Sequence, residues 1–176
     1  MYQKILVPVD GSSTSERGLE EAIRLGSLTH GRLRLLHVVD ELSLALAMDA
    51  YSGYAGDWMN TLRQEGRRIL EDAKARVIAA GLEAETVLYD NAEGRVHDLT
   101  IDDAKKWPAD VIVIGTHGRR GIGRMVLGSN AEHVLRLSPA PVLLVRATEP
   151  AATTKLDERD GSPLRVHLPT GALAIE

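Results

Sequence analysis

Short runs of consecutive apolar residues alternate along the chain with longer stretches whose apolar positions recur every three or four residues. The runs are Ile5 to Val9, Leu33 to Val39, Val111 to Ile114 and Val142 to Val145, with a weaker one at Glu85 to Tyr89. A strand that is apolar on successive residues has no solvent face, which is the mark of a parallel strand covered on both sides. The helical stretches lie between these runs. The first opens with Ser13-Thr14-Ser15-Glu16, a Ser-x-x-Glu capping box, and carries Leu19, Ala22, Ile23 and Gly26 on one face. The second is predicted from about Trp58 to Ala80, with Leu62, Ile69, Leu70, Ala73 and Val77 at helical spacing and Gly81 as its stop. A third covers about Gly94 to Lys106. A fourth begins near Ser129, carries Ala131, Val134 and Leu135, and ends before Pro139. Strand alternating with helix predicts an α/β fold: a doubly wound, open, parallel five-stranded sheet with helices on both faces, Rossmann-like, joined by right-handed crossovers.

Two stretches break the rhythm. Leu42 to Gly56 is rich in small residues and reads as a lid or as an extra turn of helix. From Ala147 onward Thr, Ala, Pro, Asp and Glu dominate, so residues 1–146 are expected to form the domain and 147–176 a linker and tail. Within that tail Leu164, Val166 and Leu168 alternate with polar residues, a period of two that suggests a short strand or docking arm.

Composition narrows the class. At 176 residues the chain is about one domain long and can bury a core without staples. No apolar run approaches the roughly 20 residues that span a bilayer. Met1 to Lys4 lead straight into the first strand with no secretory pattern, so a cytoplasmic protein is expected. Cysteine is absent, which excludes disulfides, thiolate metal sites and cysteine nucleophiles. A net charge of -4 and an aromatic content of 3% argue against a nucleic-acid partner, which needs positive charge and stacking surface.

The candidate chemistry gathers in Gly115-Thr116-His117-Gly118-Arg119-Arg120-Gly121-Ile122-Gly123-Arg124-Met125-Val126-Leu127-Gly128-Ser129. This segment follows a strand and precedes a helix, where open α/β sheets bind ligands. Glycines let backbone approach an anion, and the free N–H groups at a helix start favour negative charge. Ser129 is expected to cap that helix and to offer its hydroxyl to a phosphate. Arg119, Arg120 and Arg124 add positive charge. The segment is no P-loop, because Ser129 stands where the lysine after Gly123-x-x-x-x-Gly128 is required. A Gly-x-Gly-x-x-Gly dinucleotide motif is missing too. The plain alternative is a surface loop with an ordinary helix cap.

Gly115-x2-Gly118-x9-Gly128-Ser129 resembles the pattern of the ATP-binding branch of the universal stress protein family. So do Ala109 to Arg119 around it, Lys4 to Ser12, Leu36 to Val39, and Pro141 to Arg146, in the family's order over residues 1–146. The resemblance implies an adenine nucleotide alpha hydrolase-like fold and a stress-response or regulatory protein that binds ATP with little or slow turnover. It implies that Asp10 contacts the nucleoside, although Asp10-Gly11-Ser12 also suits an Asx turn or cap. It sets Val38 against adenine, where a core valine is the alternative. Gly115, Gly118, Gly128 and Ser129 would form the phosphate and ribose loop, flanked by Thr116, His117 and Arg119, with Pro8 and Val9 leading into Asp10. Asn130 would touch phosphate through its N–H, although the family usually has an apolar residue or Thr there. Asn91 to Arg95 lacks the family's proline before the third helix. Magnesium would arrive with the nucleotide, held mainly by phosphate oxygens and water. The last strand, Val142 to Val145, is expected to pair with its copy in a homodimer.

No catalytic residue is assigned. His117 lies nearest the loop but has no defined base or oxyanion partner, and His37 reads as a satisfied core residue. His30, His97, His133 and His167 are scattered and lack metal-ligand spacing. Two other readings remain: a nucleotide-processing enzyme on the same fold, and an interaction module with a vestigial pocket.

Overall fold

The computed structural model describes residues 1–39, 55–90, 94–116 and 127–146, with backbone alone for 55–59. Five strands alternate with four described helices. They are β1 Lys4–Pro8, α1 Ser13–Thr29, β2 Arg32–Val38, α2 Ala55–Ala79, β3 Ala84–Tyr89, α3 Val96–Lys106, β4 Val111–Gly115, α4 Ser129–Leu137 and β5 Val142–Val145. All pairings are parallel, and the strands lie in the order β3-β2-β1-β4-β5. The doubly wound sheet read from the apolar runs is the observed one.

Alternation along each central strand sends residues to opposite faces and builds two cores. Ile5 and Val7 of β1 pack with Leu19 and Ala22 of α1 and with Ile69, Leu70, Ala73 and Val77 of α2. Leu6 faces the other way, joining Ile112 and Ile114 of β4, Ala104 of α3, and Ala131 and Val134 of α4. Each buried Leu, Ile or Val of this kind contributes about 1.5–3 kcal/mol, so the two layers hold the sheet far more firmly than helix propensity does.

Helix ends follow local chemistry. Gly81, at φ +78, terminates α2 as expected: its N–H bonds the Ile78 carbonyl at 2.8 Å and the Leu82 N–H reaches Val77 at 3.2 Å. That pair of bonds is a Schellman motif, and the left-handed residue it needs favours glycine. α1 departs from expectation. Ser12, not Ser13, is its N-cap; the Ser12 hydroxyl accepts the Ser15 N–H at 3.2 Å. α3 begins at Val96 instead of Gly94 because Arg95 is extended. On α4 Ala131 and Val134 are buried, but Leu135 is 46% exposed and lies off the packing face.

The weak apolar character of β3 has a physical reason. It is an edge strand, and Glu85 and Thr86 face solvent. β5 forms the opposite edge yet remains apolar, with Leu143 41% exposed. Of the small-residue stretch from Leu42 to Gly56, residues 42–54 lie outside the described residues. So does the tail from Ala147, with the proposed strand at Leu164 to Leu168.

Candidate functional site

β1 sits at the centre of the sheet, and the chain winds first toward β2 and later toward β4. Connections leaving the carboxyl ends of β1 and β4 therefore run to opposite faces and leave a crevice between them, the position where open α/β sheets take ligands. Carrying the strand offsets of Pro8↔Leu36 and Leu6↔Ile112 past the strand ends sets Asp10 level with Val38 and Thr116. Residues far apart in sequence thus stand level at one edge of the sheet.

Asp10 lies two residues past the end of β1. Its Oδ1 accepts the Ser12 N–H at 2.9 Å, and its own N–H donates to the Ser15 hydroxyl at 3.1 Å. Gly11 between them has φ +76, so Asp10-Gly11-Ser12 is an Asx turn that feeds into α1. Pro8 is half-buried at the strand end, and Val9 is buried in the core, with its N–H donating to the Leu36 carbonyl at 2.8 Å. The Val9 carbonyl lies 2.7 Å from His37 Nδ1, which makes His37 the buried, satisfied histidine that the sequence suggests. Val38 is buried among Leu36, Ile112 and Ile114.

At the end of β4, Gly115 has a packing role that its place in a glycine-rich segment hides. A Cβ there would come within 2.8 Å of the Thr14 carbonyl carbon and oxygen, so only glycine lets β4 meet the first turn of α1. Thr116 is buried; its N–H bonds the Val145 carbonyl at 2.8 Å, and its own carbonyl accepts the Gly128 N–H at 2.9 Å. The far end of the glycine-rich segment is thereby pinned beside its beginning. Gly128, extended at φ -61 and ψ 141, is the N-cap of α4, and Ser129 is its first helical residue. Ser129 does not cap the helix, contrary to expectation. Gly128 has no side chain to cap the helix, and among the described residues no side chain accepts from the first-turn N–H groups, which carry the positive end of the helix dipole. His117, Gly118 and Arg119, with Arg120 and Arg124, lie outside the described residues.

Two histidines that look scattered in sequence are neighbours. α3 and α4 cover the same face and both begin at the carboxyl edge, which brings their first turns together. The rings of His97 and His133 stack with centroids 4.3 Å apart. His97 Nδ1 is 3.0 Å from Asn130 Oδ1, and His133 Nδ1 is 2.7 Å from the Ser129 carbonyl. Their shared position in helix starts after parallel strands was the available signal, since spacing tests compare residues within one element.

A second polar group is buried under α3. Asp103 accepts a hydrogen bond from the Tyr89 hydroxyl at 3.2 Å and lies 3.1 Å from Arg34 Nε. The approach of Arg34 is out of line for a hydrogen bond. Burial therefore outweighs the nearby guanidinium and pushes the Asp103 carboxyl above the usual carboxylate range. Burial and the Asp103 charge raise the Tyr89 phenol in turn.

Among the described residues no group of three or more His, Cys, Asp or Glu is placed to hold a metal ion, and no helix is long and apolar enough to cross a membrane. The family model for the Universal stress protein family matches residues 1–146. Universal stress protein YxiE of Bacillus subtilis is 35% identical over 151 residues, covering 83% of this chain and 100% of YxiE. The structure of MJ0577, from Methanocaldococcus jannaschii, superposes with a TM-score of 0.73 at 28% identity, over 84% of this chain and 98% of its own. A universal stress protein solved in complex with cAMP gives 0.58 at 25% identity, over 84% and 99%. With a family match across most of its length and a relative of this identity, the chain belongs to the universal stress protein family.

Proposed function

We propose that this protein binds adenine nucleotides, ATP foremost, at the carboxyl edge between β1 and β4, as a regulatory or stress-response protein with at most slow turnover. The observation that carries this reading is the start of α4: among the described residues its first-turn N–H groups have no side-chain cap, and Gly128 is held there by its bond to Thr116. Such a terminus suits a polyphosphate, since both the donors and the dipole favour an anion. Asp10, level with Thr116 on the far side of the crevice, suits ribose hydroxyls or the adenine amine as an acceptor. Val38 would border the base, and Gly115, Gly118, Ser129 and the Asn130 N–H would line the phosphate path. Magnesium would accompany the phosphates, held chiefly by their oxygens and water. The relative bound to cAMP supports an adenine ligand and favours a second reading, a mononucleotide in place of ATP.

Calorimetric titration with ATP, AMP and cAMP tests the site, using the wild type and Gly128→Val. Gly128 has an extended backbone that valine adopts without strain, so the variant should fold and lose the ligand to a steric block at the helix start. Unchanged affinity in the folded variant would sink the assignment. Preference for cAMP over ATP would select the second reading.

A further inference from the structure

Asn130 is the second residue of α4, exposed, and its side-chain oxygen is already committed to His97. His97 is buried and cannot easily turn away, because its ring stacks on His133, itself held by the Ser129 carbonyl. A carbonyl only accepts, so His133 carries its proton on Nδ1. The same tautomer of His97 donates to Asn130 Oδ1. Its Nε2 lies 3.7 Å from Asp98 Oδ1, too far to hydrogen-bond and fix the other tautomer. With Oδ1 engaged, Asn130 has only its amide N–H2 group left to offer. Among the described residues that group makes no hydrogen bond, and no side chain caps the backbone N–H groups of the turn in which it sits.

We propose that Asn130 is a phosphate-binding side chain of the nucleotide site and that His97, steadied by His133, is the positioning residue that turns its amide donors outward. The assignment rests on the nucleotide reading given above and deepens it. It gives this chain a side-chain donor to the ligand's phosphates where an apolar residue at the same place would offer backbone alone. It also gives the histidine pair a function: to fix an amide that would otherwise rotate and present either its oxygen or its nitrogen to an anion.

The test is calorimetry on the full chain with ATP and with adenosine, which lacks phosphate, for wild type, Asn130→Ala, Asn130→Asp, His97→Ala and His97→Asn, with a melting curve for each. Asn130→Ala should weaken ATP about tenfold, the scale of a hydrogen bond to a charged group, and leave adenosine unchanged. Asn130→Asp still accepts from His97 but presents a carboxylate to the phosphates, so its loss for ATP should be larger. His97→Ala should weaken ATP selectively, and His97→Asn, whose amide nitrogen stands near the place of Nδ1, should restore it. Unchanged ATP affinity in Asn130→Ala, or equal losses for ATP and adenosine, overturns the assignment and leaves the nucleotide reading intact. A wild type that binds neither ligand overturns both. Because Asn130 is exposed, its variants decide the matter even where a His97 variant fails to fold.

Discussion

Asp10 closes a turn through Oδ1 at the end of β1, so its replacement by alanine would mix two effects, one on the fold and one on the ligand. Asp10→Asn separates them. The amide oxygen still accepts the Ser12 N–H, while the charge and half of the acceptor capacity disappear. We expect unchanged thermal stability and a loss of adenosine affinity of about 1–3 kcal/mol, measured by titration. A drop in melting temperature with intact binding would make Asp10 a purely structural residue. Gly115 makes the opposite case. Its missing Cβ is required by the Thr14 backbone, so Gly115→Ala should cost about 1–3 kcal/mol in urea unfolding, with or without nucleotide. A stable Gly115→Ala would mean that α1 and β4 can separate at no cost. The sequence shows a glycine after a strand in both readings and cannot tell a glycine kept for a ligand from one kept for a helix. Asp10 was legible as an acceptor at a strand end; its turn partner was one of two alternatives.

Helices were legible in their period and less so in their ends. Ser12 and Ser13 each have a polar residue three positions on, and the box pattern favours Ser13 and Glu16. What decides for Ser12 is the turn before it: the Asp10 carboxylate accepts the Ser12 N–H and the Asp10 N–H donates to the Ser15 hydroxyl, so the helix starts where that turn lets it. Leu135 shows the same limit, since apolar spacing does not reveal how wide a stripe the neighbours cover. Beneath α3, Asp103 gives a pH signature. Its carboxyl is raised in the fold, so the native state holds the proton more tightly than the unfolded chain does. The stability from this group is therefore full below the unfolded carboxylate value and lost as pH rises through the folded one. Comparing wild type with Asp103→Asn by urea unfolding from about pH 7 to about pH 4, the wild type should gain stability relative to the variant as pH falls. A constant difference would show that Arg34 fully offsets the burial.

For the whole molecule, alternation gave the parallel sheet but not the order of its strands, which depends on which crossovers turn back. The order is what separates β3 and β5 to opposite edges and opens the crevice between β1 and β4. It also brings His97 beside His133, which their separation in the sequence hides. Among the described residues β5 pairs with β4 alone and is an apolar edge, with Leu143, Leu135 and Leu137 exposed on it and on the preceding helix. Such an edge invites pairing with a second copy. We expect a homodimer by light scattering at micromolar concentration and a monomer for Leu143→Lys, with the same far-ultraviolet spectrum. A monomeric wild type would remove β5 from any interface.

The bond from the Gly128 N–H to the Thr116 carbonyl has a consequence for how this site can change over evolutionary time. Because the chain leaves and returns within one hydrogen bond, residues 117 to 126 are an insert between fixed ends, whatever path they take. Doubling the length of a flexible insert costs only about 0.6 kcal/mol of closure entropy. The sheet can therefore accept a longer, shorter or differently charged insert with little penalty. Gly118 and the arginines of that insert can thus be exchanged like a cassette while Ser129 and Asn130 keep their place on the helix start, so ligand preference can drift while the fold stays put.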